Sequence, residues 1–148
     1  MDIEIRAFDL ERDGELCIEA EKAAHRDANP SGGFTPENVQ DTLARIGMQV
    51  EEGTYVAFTA VVEGKPAGLV FADREGEFAY VDNLYIVADK RGRGIGGALM
   101  ERVLECLEGS GVKEIELMVT ADNAAAVGLY ENAGFEVTRL RMRKSLRA

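Results

Sequence analysis

The stretch Arg91-Gly92-Arg93-Gly94-Ile95-Gly96-Gly97 has the residue types to do chemistry on an anion. Glycines let a backbone curl close to a ligand, and the first-turn N–H groups of a helix have no intrahelical partners. Together with the helix dipole, those N–H groups form a cradle for phosphate, and Arg91 and Arg93 add charge-assisted donors. The plainer alternative is a glycine-rich turn flanked by solvated arginines. A strand before the run and a helix after it favour anion binding.

Which anion is decided by context. Gly92, Gly94 and Gly97 satisfy the G-x-G-x-x-G dinucleotide pattern, but three strands with hairpin connections precede the run, so it does not open a leading β-α-β unit. Ala88-Asp89-Lys90-Arg91 intervene before the first glycine, and Asp122 comes later than a ribose-binding acid is expected. No Gly-Lys-Ser/Thr follows, which excludes a Walker loop.

The elements that must position this run follow from hydrophobic periodicity. Ile3–Phe8 alternates as a short strand, and Leu16, Ala20, Ala23 and Ala24 recur at helical spacing to about Ala28. Asn29–Gly33 reads as a loop, and Thr35-Pro36-Glu37 as the capped start of a second helix carrying Val39, Leu43, Ile46 and Val50. Thr54–Val62 and Ala67–Ala72 form a hairpin about Glu63-Gly64-Lys65-Pro66, and Phe78–Val87 is a third long strand. Ile95, Ala98, Leu99, Val103, Cys106 and Leu107 stripe a helix ended by Gly109-Ser110-Gly111. Ile115–Val119 is a strand, Asp122–Ala133 a helix closed by Gly134, and Phe135–Lys144 a last strand. No repeat or linker interrupts the order β-α-α-β-β-β-α-β-α-β, so residues 1–148 are predicted to be one α/β domain. Its sheet should be mixed, because hairpins precede a single crossover.

The chain has 148 residues, 17 Lys and Arg against 27 Asp and Glu, and a net charge of −10. That balance argues against nucleic acid as a partner, since phosphate contacts need a basic face. Five of the bases (Arg139, Arg141, Arg143, Lys144 and Arg147) follow residue 138, so the body before them stands at −15. The body is read as acidic for solubility, with the concentration of cationic small molecules as the sharper alternative. No apolar run reaches membrane-span length, and Met1-Asp2-Ile3-Glu4 is not a signal peptide, so neither a membrane partner nor export is expected. Cys17 and Cys106 are read as core thiols in a reducing cytoplasm, and one histidine with two cysteines makes a metal site unexpected. The acids Glu15, Glu19, Glu21, Glu37 and Asp41 on the first helices are read as a solvated face, with the approach to a substrate as the alternative.

Arg91-x-x-Gly94-x-Gly96 resembles the pyrophosphate-binding motif of the GNAT N-acetyltransferase superfamily. Tyr80–Val87 looks like that family's fourth strand, and Asn123-Ala-Ala-Ala-Val-Gly-Leu-Tyr-Glu-Asn-Ala-Gly-Phe135 looks like its "N…A…LYE..GF" segment. The resemblance spans about Thr54–Thr138. It implies a mostly antiparallel, twisted mixed sheet with helices on both faces. It also implies an N-acetyltransferase that moves acetyl from acetyl-CoA to a primary amine, of a small cationic molecule or a protein, by direct attack in a ternary complex. A non-catalytic acyl-CoA sensor is the alternative, a nucleotide-dependent oxidoreductase a distant third, and a homodimer through the terminal strands is compatible with it.

Carried over residue by residue, the resemblance puts the pyrophosphate on Gly92, Arg93, Gly94, Ile95, Gly96 and Gly97, with Arg91 at the start of the loop. It lays pantetheine along main-chain groups of Leu84 and Ile86, in a slot where the fourth strand splays from the next. An N–H near Leu84 or Tyr85 would stabilise the thioester oxyanion. Tyr130 matches the family's proton donor to the leaving thiolate, against the alternative of a core tyrosine. Asn123 matches the family's asparagine and reads equally as a helix cap. An amine of pKa ~10.4 must lose a proton before it attacks. Many relatives carry Glu where this chain has Tyr80, and Asp82 matches an acid of the spermidine/spermine-type branch. Asp82 is therefore read either as the proton acceptor or as a carboxylate that only attracts a cation, with Tyr85 and Glu77 as weaker candidates. His25 is read as a loop-end surface residue.

Overall fold

Near-continuous apolar runs in the central strands, Tyr55–Val62 and Ala67–Ala72, give the sheet two packed faces. In the computed structural model, which describes residues 1–28 and 36–146, the chain divides into two compact units, Met1–Met118 and Val119–Ala148. The first holds β1 (Ile3–Ala7), α1 (Leu10–Ala28), α2 (Pro36–Glu52), β2 (Tyr55–Val62), β3 (Lys65–Glu75), β4 (Phe78–Ile86), α3 (Ile95–Gly109) and β5 (Glu114–Leu117). The strands lie in the order β1-β2-β3-β4-β5, antiparallel except for the β4–β5 pair, so the sheet is mixed as expected. The Asn29–Gly33 loop, the Thr35 cap and the side chains of His25 and Glu37 lie outside the described residues.

Helices cover both faces. On one, Leu16, Cys17 and Ala20 of α1 and Ile46 of α2 pack on Tyr55, Ala57, Leu69 and Phe71, with Phe8 edge-on to Phe71 at 5.0 Å between ring centroids. On the other, α3 buries Leu99, Met100, Val103 and Leu107, and the Arg102 guanidinium lies 4.5 Å from the centroid of Phe58. Gly68 admits no larger residue there, because a Cβ would stand 2.7 Å from Ile86 Cδ1 and 2.9 Å from the Tyr85 carbonyl. The β2–β3 turn is tighter than the sequence suggests. Glu63 and Gly64 take φ of 53° and 76°, the primed-turn geometry whose twist matches the strands.

One polar knot ties β1, α1 and β2. Asp13, fully buried, accepts from Arg6 Nη2 and Nη1 (2.7 and 2.8 Å), Thr59 Oγ1 (2.7 Å) and the Asp9 N–H (2.9 Å). It joins β1, the start of α1 and β2, and so fixes how α1 lies on the sheet.

The second unit contains α4 (Ala124–Asn132). The strand predicted over Phe135–Lys144 is not formed: residues 135–146 carry no strand, and Val137, Leu140, Met142 and Leu146 are exposed. Alternation supplies the side-chain pattern of a strand, but the strand itself needs a paired backbone. For the same reason β5 stops at Leu117, short of the predicted Val119. Cys106 is half-buried, where a core thiol was expected.

Candidate functional site

The half of β4 that leads to the glycine run has an open edge. β4 pairs with β5 only over Phe78–Val81, and from Asp82 to Ile86 β5 offers no partner. The Val87 N–H donates to the Ala67 carbonyl at 2.9 Å, which places Val87, Tyr85 and Asn83 in the set bonded to β3. By alternation, the main-chain groups of Leu84 and Ile86 point away from β3, along the open edge. These are the two residues predicted to hold pantetheine.

Arg91 closes the end of that edge. Its Nε donates to the Ile86 carbonyl at 2.9 Å, and its guanidinium carbon lies 5.6 Å from the centroid of the Tyr85 ring. The chain passes through a short 3-10 turn at Ala88–Lys90 and then through Gly92 (φ 75°) and Gly94 (φ 86°), conformations that L side chains rarely adopt. Gly94 is the N-cap of α3 and no side chain caps the helix. The first helical bond runs from the Ala98 N–H to the Gly94 carbonyl (3.1 Å), so the N–H groups of Ile95, Gly96 and Gly97 lie before any intrahelical acceptor. Arg91, Gly92, Arg93, Gly94 and Gly97 are exposed, while Ile95 and Gly96 are buried and anchor the turn. This is the uncapped, positively polarised concavity that a phosphate fits.

Asp82 sits at an irregularity in β4. Phe71 pairs with Asn83 and Ala72 with Val81, so Asp82 is an extra residue in the strand. The bulge puts Asp82 and Asn83 on the same face, the one that carries α1 and α2. There the Tyr55 hydroxyl donates to Asp82 Oδ2 at 2.8 Å. Burial pushes the Tyr55 phenol up to about 12, helped by its bond to Asp82 and by that carboxylate's charge. The Tyr80 phenol is also raised, by burial first and then by Asp82 and Glu116.

Two acids read as part of a solvated face meet β4 instead. Glu19 Oε2 accepts from the Tyr85 hydroxyl at 2.7 Å. The Glu21 carboxyl is held above the usual carboxylate range by burial and by the charge of Asp82, with Arg45 of α2 opposing. Asn83 Nδ2 is buried and meets no hydrogen-bond partner among the described residues, although Asn83 lies close enough to Glu21 to oppose the rise of its carboxyl. The signal for these residues is tertiary: periodicity marks α1 as acidic but does not say that it lies over β4. Glu77 lies in the turn before β4, its carboxylate 3.5 Å from the Lys113 ammonium.

In the second unit, Asn123 caps α4, its Oδ1 accepting from the Ala126 N–H at 3.2 Å. Tyr130 lies on α4 with its ring edge-on to Phe135 at 6.1 Å, and burial raises its phenol above the ordinary value. Burial also pushes the Cys17 thiol up to about 12, which removes it as a thiolate nucleophile near neutral pH. Among the described residues no three His, Cys, Asp or Glu side chains are grouped to hold a metal ion, and no helix is long and apolar enough to cross a membrane.

Comparison with known proteins agrees with this geometry. The sequence profile of the "Acetyltransferase (GNAT) family" matches residues 18–135. The mycothiol acetyltransferase of Brachybacterium faecium is 33% identical over 92% of this chain and 41% of its own length. The [ribosomal protein bS18]-alanine N-acetyltransferase of Escherichia coli K12 is 34% identical over 59% of each protein. The chain thus spans well under two thirds of these relatives. The crystal structure of the PaiA N-acetyltransferase of Thermoplasma acidophilum, in complex with coenzyme A, superposes with a TM-score of 0.75 over 95% of this chain and 94% of that one, at 20% identity.

Proposed function

The chain belongs to the GNAT acetyltransferase family, and from that premise we propose that it is an N-acetyltransferase that moves an acetyl group from acetyl-CoA to a primary amine by direct attack. The observation that carries this reading is the open edge of β4 running into the two positive-φ glycines at the uncapped start of α3.

Acetyl-CoA supplies an acetyl group activated as a thioester. The N–H groups of Ile95–Gly97, with Gly92, Arg93 and Gly94 before them and Arg91 at the loop's start, would hold its diphosphate. The outward main-chain groups of Leu84 and Ile86 would bond the amides of pantetheine, with a main-chain N–H near Leu84 or Tyr85 meeting the thioester oxygen. Asp82 would take the proton that an ammonium must lose before its nitrogen becomes nucleophilic. The nearby Glu21 carboxyl and the unpaired Asn83 Nδ2 favour an acceptor that is cationic and carries a hydrogen-bond acceptor. Tyr130, kept protonated by its burial, would return a proton to the departing thiolate. The acceptor is an amine of a small cationic molecule or of a protein.

The test is release of free CoA thiol from acetyl-CoA across a panel of polyamines, amino acids, aminoglycosides and peptide N-termini. Turnover that requires the amine supports the proposal. Saturable acetyl-CoA binding with no thiol release from any amine would overturn it in favour of a sensor module.

A further inference from the structure

We propose that Tyr55 is a positioning residue for the transfer reaction, holding the carboxylate of Asp82 in the orientation from which it takes the acceptor's proton. The inference rests on the reading of Asp82 as that acceptor. It adds a residue on a different strand that neither motif nor resemblance picks out.

Tyr55 begins β2 and is a buried member of the core under α1 and α2. Its ring stacks at a tilt on Phe71, 5.9 Å between centroids, so the hydroxyl's position is set by packing. That hydroxyl donates to Asp82 Oδ2 at 2.8 Å across 27 residues of sequence. Asp82 itself is exposed and stands on a bulge, where no ladder neighbour fixes its side chain. An exposed aspartate otherwise samples several rotamers. The buried phenol therefore supplies the rigidity that Asp82 lacks. With one carboxylate oxygen tied to Tyr55, the other can break the ammonium N–H bond and form an O–H bond, leaving a neutral amine and a neutral carboxyl.

The groups around Asp82 come from every neighbouring element: Glu21 from α1, Arg45 from α2, Tyr55 from β2 and Tyr80 from β4, with Glu116 of β5 beyond Tyr80. Replacing Tyr55 by Phe removes the donor and none of these charges.

The experiment compares Tyr55→Phe, Asp82→Asn and the double variant with the parent, using acetyl-CoA and the best amine of the panel. Asp82→Asn should abolish the acid limb of the kcat/KM pH profile. Tyr55→Phe should lower kcat about tenfold, as expected for a misplaced catalytic group, with KM for acetyl-CoA unchanged. In the Asp82→Asn background, Tyr55→Phe should cost nothing more, since the phenol acts only through Asp82. If Asp82→Asn leaves the profile unmoved, the acceptor role of Asp82 falls, and this inference with it. If Asp82→Asn moves the profile but Tyr55→Phe leaves kcat unchanged, or if the two losses multiply, the positioning role alone falls. Should Tyr55→Phe fail to fold, alkaline titration of tyrosine absorbance decides: in Asp82→Asn one phenol should ionise at lower pH than in the parent, and an unchanged titration overturns the contact.

Discussion

Substituting Asp13 by Asn tests whether the buried knot at the start of α1 sets the site as well as the fold. The substitution keeps the shape and removes the charge. It also turns an NH2 toward donors, because Oδ2 now accepts from Arg6, Thr59 and the Asp9 N–H together. Arg6, only 17% exposed, is left without its ion-pair partner. Breaking such a pair from one side costs about 3–5 kcal/mol. For a domain of this size each kcal/mol moves the melting temperature by about 2–4 °C, so a fall of roughly 6–20 °C is expected. The pH dependence gives a sharper test. Burial pushes the Asp13 carboxyl up, but the bonds from Arg6, Asp9 N–H and Thr59 outweigh it and hold the group below its ordinary value. A carboxyl lowered in the folded state stabilises fully above its unfolded pKa of ~3.9, and that contribution fades as pH falls through the folded value. The gap between parent and variant, measured by urea unfolding, should therefore be widest near pH 7 and narrow below about pH 4. A variant that melts within ~2 °C of the parent, or a gap that does not change with pH, would refute the reasoning. Because α1 brings Glu19 and Glu21 to β4, the variant should also show a higher KM for the amine while still folded.

The glycine cradle and the proposed proton donor give two further expectations. Gly94→Ala forces a left-handed residue at the α3 N-cap, costing about 1–2 kcal/mol, and it should abolish the rise in melting temperature that acetyl-CoA gives the parent; a full rise would place the diphosphate elsewhere. Tyr130→Phe should lower kcat by ~10²-fold or more, the usual worth of a general acid, while KM for acetyl-CoA stays within about twofold; unchanged turnover would remove the acid role.

The glycine run was legible because glycine is the residue that takes φ near 75–86° without strain, and the structure uses Gly92 and Gly94 at those angles. The helices and hairpins followed from period and turn chemistry, to within a few residues at their ends. One of the two readings of Asn123 is seen directly, its Oδ1 capping α4 through the Ala126 N–H. The terminal basic segment shows why alternation alone makes no strand: Arg139, Leu140, Arg141, Met142 and Arg143 have strand period, yet pairing is a property of two segments and period belongs to one. Tyr55 escaped for the same reason, and Glu19 and Glu21 were not set apart from the other acids of the first helices. Each matters through a partner far along the chain, and nothing within a window of ten residues marks it.

The bulge at Asp82 explains why both halves of the site depend on one residue. In an antiparallel pair, alternate residues turn their main-chain groups toward the partner strand. The odd-numbered residues of β3, Ala67 among them, bond toward β4. Before the bulge the register sets Tyr80 against Asp73, so Ala79 and Val81 turn outward, where β5 pairs with them. After it, the register sets Tyr85 against Leu69, so Leu84 and Ile86 turn outward, where β5 is absent. Had β4 run straight, Asn83 and Tyr85 would have faced the open edge instead. The same extra residue leaves Asp82 beside Asn83 on the face under α1, within reach of Tyr55. A single inserted position thus switches which backbone groups line the edge and sets the carboxylate on the face under α1 and α2, two features that a strictly alternating strand could not present together.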